Sequence, residues 1–156
     1  MIPIDDLLKL RTQWRLSKKK VVFTNGCFDL LHQGHKDLLA QAKSFGDILI
    51  VGLNNDASVK RLKGESRPIE NEKTRSLHLK DTPFVDHVIS FHEDTPIKLI
   101  QALKPDILVK GGDYLVENIV GASDVMDEGG QVKIIPLTPG FSTTDQVKKI
   151  RREGLD

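Results

Sequence analysis

Short apolar runs alternating with stretches of helical spacing constrain this chain more than any other feature. Val21-Val22-Phe23-Thr24 is rich in β-branched residues and is cut off by Asn25-Gly26, so it reads as a buried strand ended by a turn. Further strands are expected at 48–53, 85–91, 107–109 and 132–136, the third interrupted by Asp86, His87 and Ser90. Between them a helix is expected over 35–45, with Leu38, Leu39 and Ala42 on one face and Gly46 as its stop. Residues 54–62 read as a polar loop running into a helical turn, and 70–79 as helix. Asp94-Thr95-Pro96 opens a helix that runs to Leu103, since proline suits a first turn and Lys104-Pro105 ends it. A last helix is expected over 142–152. Ahead of the first strand, Ile4, Leu7, Leu8, Arg11 and Trp14 recur at helical spacing, with Asp5 and Asp6 at the positive end of the helix dipole.

This alternation is the signature of the α/β class: a Rossmann-like, doubly wound, five-stranded parallel sheet with helices on both faces. Such sheets bind ligands beyond the carboxyl ends of their strands, where the strand order reverses. One domain is expected over 1–156, with the leading helix and the run Lys18-Lys19-Lys20 occupying 1–20 and the α/β core 21–156.

Composition narrows the function classes. At 156 residues, 38% hydrophobic, a core can form without disulfides or a structural metal. Lys and Arg number 23 against 22 Asp and Glu, which argues against a generic nucleic-acid or anionic-membrane binder. Cys27 is the single cysteine, no apolar run approaches the roughly 20 residues of a membrane span, and the start does not read as a signal peptide. A cytoplasmic protein without nucleic-acid or membrane partners is the expectation.

The richest segment is Thr24-Asn25-Gly26-Cys27-Phe28-Asp29-Leu30-Leu31-His32-Gln33-Gly34-His35. It follows the first strand and leads into a helix, the place where an α/β sheet holds a phosphate. Gly26 lets backbone approach a ligand. His32 and His35, three apart, point to one side of a helical turn. Two imidazoles and free backbone N–H groups there can hold an α-phosphate and the charge that grows on it during displacement. The blander reading makes the histidines caps or half of a metal site, although a zinc site needs further ligands. Cys27 reads as a small turn residue, without a base and orienter that would make it a nucleophile.

Lys60, Arg61, Lys63, Arg67 and Arg75 follow the second strand; they are a solvated face or the cations that meet β- and γ-phosphates. Lys110-Gly111-Gly112-Asp113-Tyr114 follows the fourth strand, as a turn or as the wall of the crevice. Ser142, Thr143 and Thr144 either cap the last helix or meet a phosphate at its N-terminus.

Together these segments resemble the cytidylyltransferase-like family of nucleotidyltransferases. His32-Gln33-Gly34-His35 matches its H-x-G-H signature, and Gly26-Cys27-Phe28-Asp29 the preceding glycine-x-Phe-Asp. Within the family, Asp56-Ala57-Ser58, Arg61-Leu62-Lys63-Gly64, Arg67-Pro68, Val109 to Tyr114 and Ser142-Thr143-Thr144 are similar to the adenylyltransferases that make ADP-heptose from heptose 1-phosphate. The resemblance implies transfer of AMP from ATP to a sugar 1-phosphate with release of pyrophosphate. It implies magnesium held mainly by the triphosphate, with no metal ligand from the protein. It implies a stand-alone form served by a separate sugar kinase, and a homodimer, as relatives often are.

The same resemblance gives roles. His32, His35, Lys36 and Lys63 are implied to be catalytic. Thr24, Asn25, Gly26, Cys27, Phe28, His32, His35, Arg67, Lys110, Gly112, Asp113, Tyr114, Ser142, Thr143 and Thr144 are implied to bind the nucleotide, and Asn54, Asp56 and Arg75 the second substrate. Asp29 is expected to orient its loop. Two alternatives stand beside this reading: a CTP-dependent enzyme acting on an alcohol phosphate such as glycerol 3-phosphate, and a non-catalytic nucleotide sensor on the same scaffold.

Overall fold

Side-chain alternation along each apolar run decides how the layers form. In a strand, neighbouring side chains point to opposite faces. Val21 and Phe23 pack with one buried cluster, and Val22 packs with the other. A run that is apolar on both faces is buried on both faces, which requires a parallel sheet covered by helices on each side. The computed structural model describes residues 1–136 and has this arrangement.

The elements in chain order are α1 (Ile4–Leu16), β1 (Val21–Gly26), α2 (Gln33–Ser44), β2 (Ile48–Asn54), α3 (Asp56–Lys63), α4 (Glu72–Asp81), β3 (His87–Phe91), α5 (Ile97–Leu103), β4 (Ile107–Gly111), α6 (Ala122–Asp127) and β5 (Gln131–Ile135). A 3-10 turn, Val116–Asn118, lies before α6. All strands run parallel in the order β3-β2-β1-β4-β5. The order reverses between β1 and β4, so the crevice lies between their carboxyl ends.

Leu7 and Trp14 of α1, Leu99, Ile100 and Leu103 of α5, and Ala122 and Val125 of α6 cover one face of the sheet. Leu38, Leu39 and Ala42 of α2 and Leu79 of α4 cover the other. No helix of the described residues is long and apolar enough to cross a membrane.

Three expectations change. Residues 54–62 were expected as loop with a helical turn, but Asp56–Lys63 is a full helix, capped where the Ser58 amide donates to Asn55 Oδ1 at 2.9 Å. The third strand begins at His87, not 85. Ahead of it the Asp86 amide donates to the Leu49 carbonyl at 3.0 Å, but the Leu49 amide is taken by the Asp86 carboxylate at 2.8 Å, which also accepts from Lys43 Nζ at 2.6 Å. α2 begins at Gln33, with His32 as its cap. The helix expected over 142–152, with Ser142, Thr143 and Thr144, lies outside the described residues.

Candidate active site

The turn after β1 builds the site. Phe28 and Leu30 both have positive φ, 48° and 56°, a conformation that costs non-glycine residues energy. Gly26 leaves room for the turn, since a Cβ there would sit 3.1 Å from the Phe28 ring. Two charged side chains hold it. Asp29, fully buried, accepts from Arg67 Nε at 2.9 Å and from the amides of Ile69 and Glu70 at 2.7 and 2.9 Å. Glu70 in turn accepts from the Leu30 amide at 3.0 Å. Asp29 therefore ties this turn to the segment ahead of α4.

His32 and His35 form a reciprocal cap at the start of α2. The His32 amide donates to His35 Nδ1 at 3.2 Å, and the His35 amide donates to His32 Nδ1 at 3.4 Å. The rings stack with centroids 3.7 Å apart, and Phe28 meets His35 edge-on at 5.4 Å. Because each Nδ1 accepts a backbone N–H, the neutral tautomer carries its proton on Nε2. Burial, reinforced by His32, pushes the His35 pKa from 6.5 down to about 4, and burial lowers that of His32 as well. Near neutral pH the pair is thus uncharged, with each ring proton on Nε2 and each ring held in place by its Nδ1 bond.

These residues line a cavity of about 600 Å³ over the carboxyl ends of the strands. Asn25, Gly26, Cys27, Phe28, His32 and His35 line it, together with Asn54, Lys63, Arg67, Lys110 and Tyr114. Burial, and then the charge of Lys63, lowers the pKa of Lys110, whose ammonium lies 5.1 Å from the Tyr114 ring centre. Burial raises the Cys27 thiol pKa despite Lys63, Arg75 and Arg67 nearby. A protonated thiol is a poor nucleophile.

Other expected residues fall elsewhere. Arg75, expected to meet substrate, is fully buried. Its guanidinium donates to the carbonyls of Glu70, Cys27 and Asn54 and to Asp56 Oδ1, at 2.7–3.0 Å. It is a fastener beneath the site, and Asp56, with its side chain 45% exposed, is its ion-pair partner. Lys36, expected to be catalytic, is exposed and lines a different cavity with Leu31, His78 and Phe84. One residue past His35 on a helix, it points about 100° away from it. Thr24 is buried and donates to the Val109 carbonyl at 2.9 Å, which joins β1 to β4. The Gly112 amide donates to Ile135, and Asp113 is exposed; neither lines the cavity.

Some lining residues were not anticipated. Asp94, Thr95 and Pro96 follow β3, so the rule that ligands meet strand ends could have found them. Arg61 holds that loop, donating to Asp94 at 2.9 Å and to the His92 carbonyl. Asn118, Ile119 and Val120 also line the cavity, from a stretch without strong periodicity. Among the described residues no three His, Cys, Asp or Glu side chains converge as a metal set.

Residues 23–149 match the family model described as cytidylyltransferase-like. The chain is 53% identical over 144 residues to the bifunctional protein HldE of Koribacter versatilis, covering 92% of this chain and 30% of that protein. It is 51% identical over 152 residues to the protein of the same name from Helicobacter pylori strain G27, covering 97% and 31%. It thus spans less than a third of the length of these curated relatives. Among solved structures, the lipopolysaccharide core biosynthesis protein from Thermoplasma volcanium superposes with a TM-score of 0.61 at 32% identity, covering 77% of this chain and 97% of that one. Crevice, paired histidines and family match agree, and the chain belongs to the cytidylyltransferase-like family.

Proposed function

We propose that this chain transfers AMP from ATP to heptose 1-phosphate, giving ADP-heptose and pyrophosphate for lipopolysaccharide core precursors. The observation that carries the reading is the reciprocal His32–His35 cap, whose two neutral imidazoles line a cavity together with Lys63, Arg67 and Lys110. Support for the acceptor comes from the motif set resembling ADP-heptose-forming enzymes and from the similarity to the HldE proteins.

In this reading His32 and His35 hold the α-phosphate and the charge that develops on it. An oxygen of the sugar phosphate attacks the α-phosphorus in line. The bond from that phosphorus to the bridging oxygen breaks, and pyrophosphate leaves with the electron pair. The nucleophile is already an anion, so no strong base is needed, and catalysis is positioning and charge stabilisation. Lys63 and Arg67 offset phosphate charge, while Lys110 and Tyr114 lie by the nucleoside. Magnesium, when bound, would offset triphosphate charge and be held by phosphate oxygens. The cavity's own donors are mostly imidazoles, amides and cations, and its carboxylate, Asp94, is paired with Arg61.

The test is pyrophosphate release with magnesium, crossing ATP and CTP against heptose 1-phosphate and glycerol 3-phosphate. Release with ATP and heptose 1-phosphate alone supports the proposal. Release with CTP and glycerol 3-phosphate keeps the chemistry but overturns the substrates. Nucleotide binding without release in any combination identifies a sensor.

A further inference from the structure

A second cavity, of about 380 Å³, lies at the opposite end of the sheet, beside the amino ends of β1, β4 and β5. Arg11, Arg15, Lys20 and Lys104 line it, against the carboxylates of Asp106 and Glu128. Asp106 is engaged, because its Oδ2 accepts from the Val21 amide at 2.8 Å and from Arg11 Nη2 at 3.4 Å. Arg11 is only 4% exposed. Its Nε and Nη2 donate to the carbonyls of Leu103 and Lys104 at 3.1 and 2.7 Å. Its Nη1 is buried and has no hydrogen-bond partner among the described residues.

A guanidinium keeps its charge in a protein, so a buried N–H group left unpaired costs stability. The cavity wall offers cations of side chains and few backbone donors. The amides of Gly129, Gly130 and Gln131 are spent on the carbonyls of Met126, Val125 and Asp106. Positive charge, a half-satisfied buried guanidinium and a volume in the range of small-molecule sites coincide at one place.

We propose that this cavity is a second site, separate from the candidate active site, for a small molecule carrying a phosphate group. Arg15, Lys20 and Lys104 contact the oxyanion, and Arg11 adds positive charge from the wall. The site stands on these residues alone and does not depend on the reaction proposed above.

The experiment is a titration of the full chain with inorganic phosphate, followed by amide chemical shifts. Two separable sets of shifts are expected, one at Gly26, His32 and His35 and one at Gly129, Gly130 and Gln131. The double variant Arg15→Ala, Lys20→Ala removes two exposed side chains, and Arg11 stays in place to preserve the fold. It should weaken the second set roughly tenfold and leave the first unchanged. Shifts confined to the first set, or a second set with the same affinity in the variant, would overturn the proposal.

Discussion

Acidification should destabilise this protein in a way that reports on His35. The folded-state pKa of His35 is about 4, against 6.5 in an unfolded chain. Between these values the unfolded chain binds a proton that the folded one does not. Stability contributed by the neutral imidazole is therefore complete above pH 6.5 and is lost as pH falls towards 4. At about 1.4 kcal/mol per pH unit, the whole difference is worth about 3 kcal/mol. His35→Asn is the control, since its side-chain oxygen can still accept from the His32 amide but cannot titrate. Urea unfolding of both proteins between pH 7 and 4 gives the comparison. Wild type should lose about 3 kcal/mol more than His35→Asn over that window. His32 and His87, whose pKa values burial also lowers, act in the same direction in both proteins. Equal losses would refute the buried, neutral His35. The same state predicts that kcat/KM does not fall as pH rises through 6.5, and a fall there would mean that an imidazolium is the active form.

His35→Ala should lower kcat by about 10²–10³-fold with the fold retained, as for loss of one transition-state donor; steady-state kinetics and circular dichroism check this together. Asp29→Asn should cost about 3 kcal/mol of stability, because Arg67 is left buried without its carboxylate, and urea midpoints read it directly. Arg75→Lys should cost at least about 2 kcal/mol, since an ammonium cannot span the carbonyls of Cys27 and Asn54 and the Asp56 carboxylate at once. Lys36→Ala should leave kcat and the KM for ATP within about twofold, as expected of a surface substitution. A large loss in the same pyrophosphate assay would return Lys36 to the active site.

The fold was legible because β-branched runs, caps and breakers agreed. Val21 to Thr24 and Ile48 to Leu53 sit in the two longest strands, and Pro96 and Pro105 flank α5. What escaped had weak periodicity. α3 buries only Ser58 and Val59, so it carries no apolar stripe to detect. α6 buries Ala122 and Val125 within six residues, too short a span for a period to show. In the site, residues on the turn after β1 were legible because topology put them there. Charges were not, because a sequence shows that an arginine exists and not which way it faces. Arg67 lines the cavity, whereas Arg75, eight positions on, lies wholly beneath it.

The position of Arg75 has a physical reason in the turn after β1. Phe28 and Leu30 hold left-handed backbone at a cost of about 1 kcal/mol each or more. Such a turn persists only if its surroundings over-determine it. Arg75 Nη1 takes the Cys27 carbonyl, Glu70 takes the Leu30 amide, and Asp29 takes the amides of Ile69 and Glu70. Each is a charge-assisted bond, stronger than its neutral counterpart, and together they exceed the cost of the two residues. The buried charges are therefore spent on shape: they fix the path from Gly26 to His32, and with it the position of both imidazoles. A cavity lined by two neutral imidazoles rests on the buried charges of Asp29 and Arg75 behind its wall.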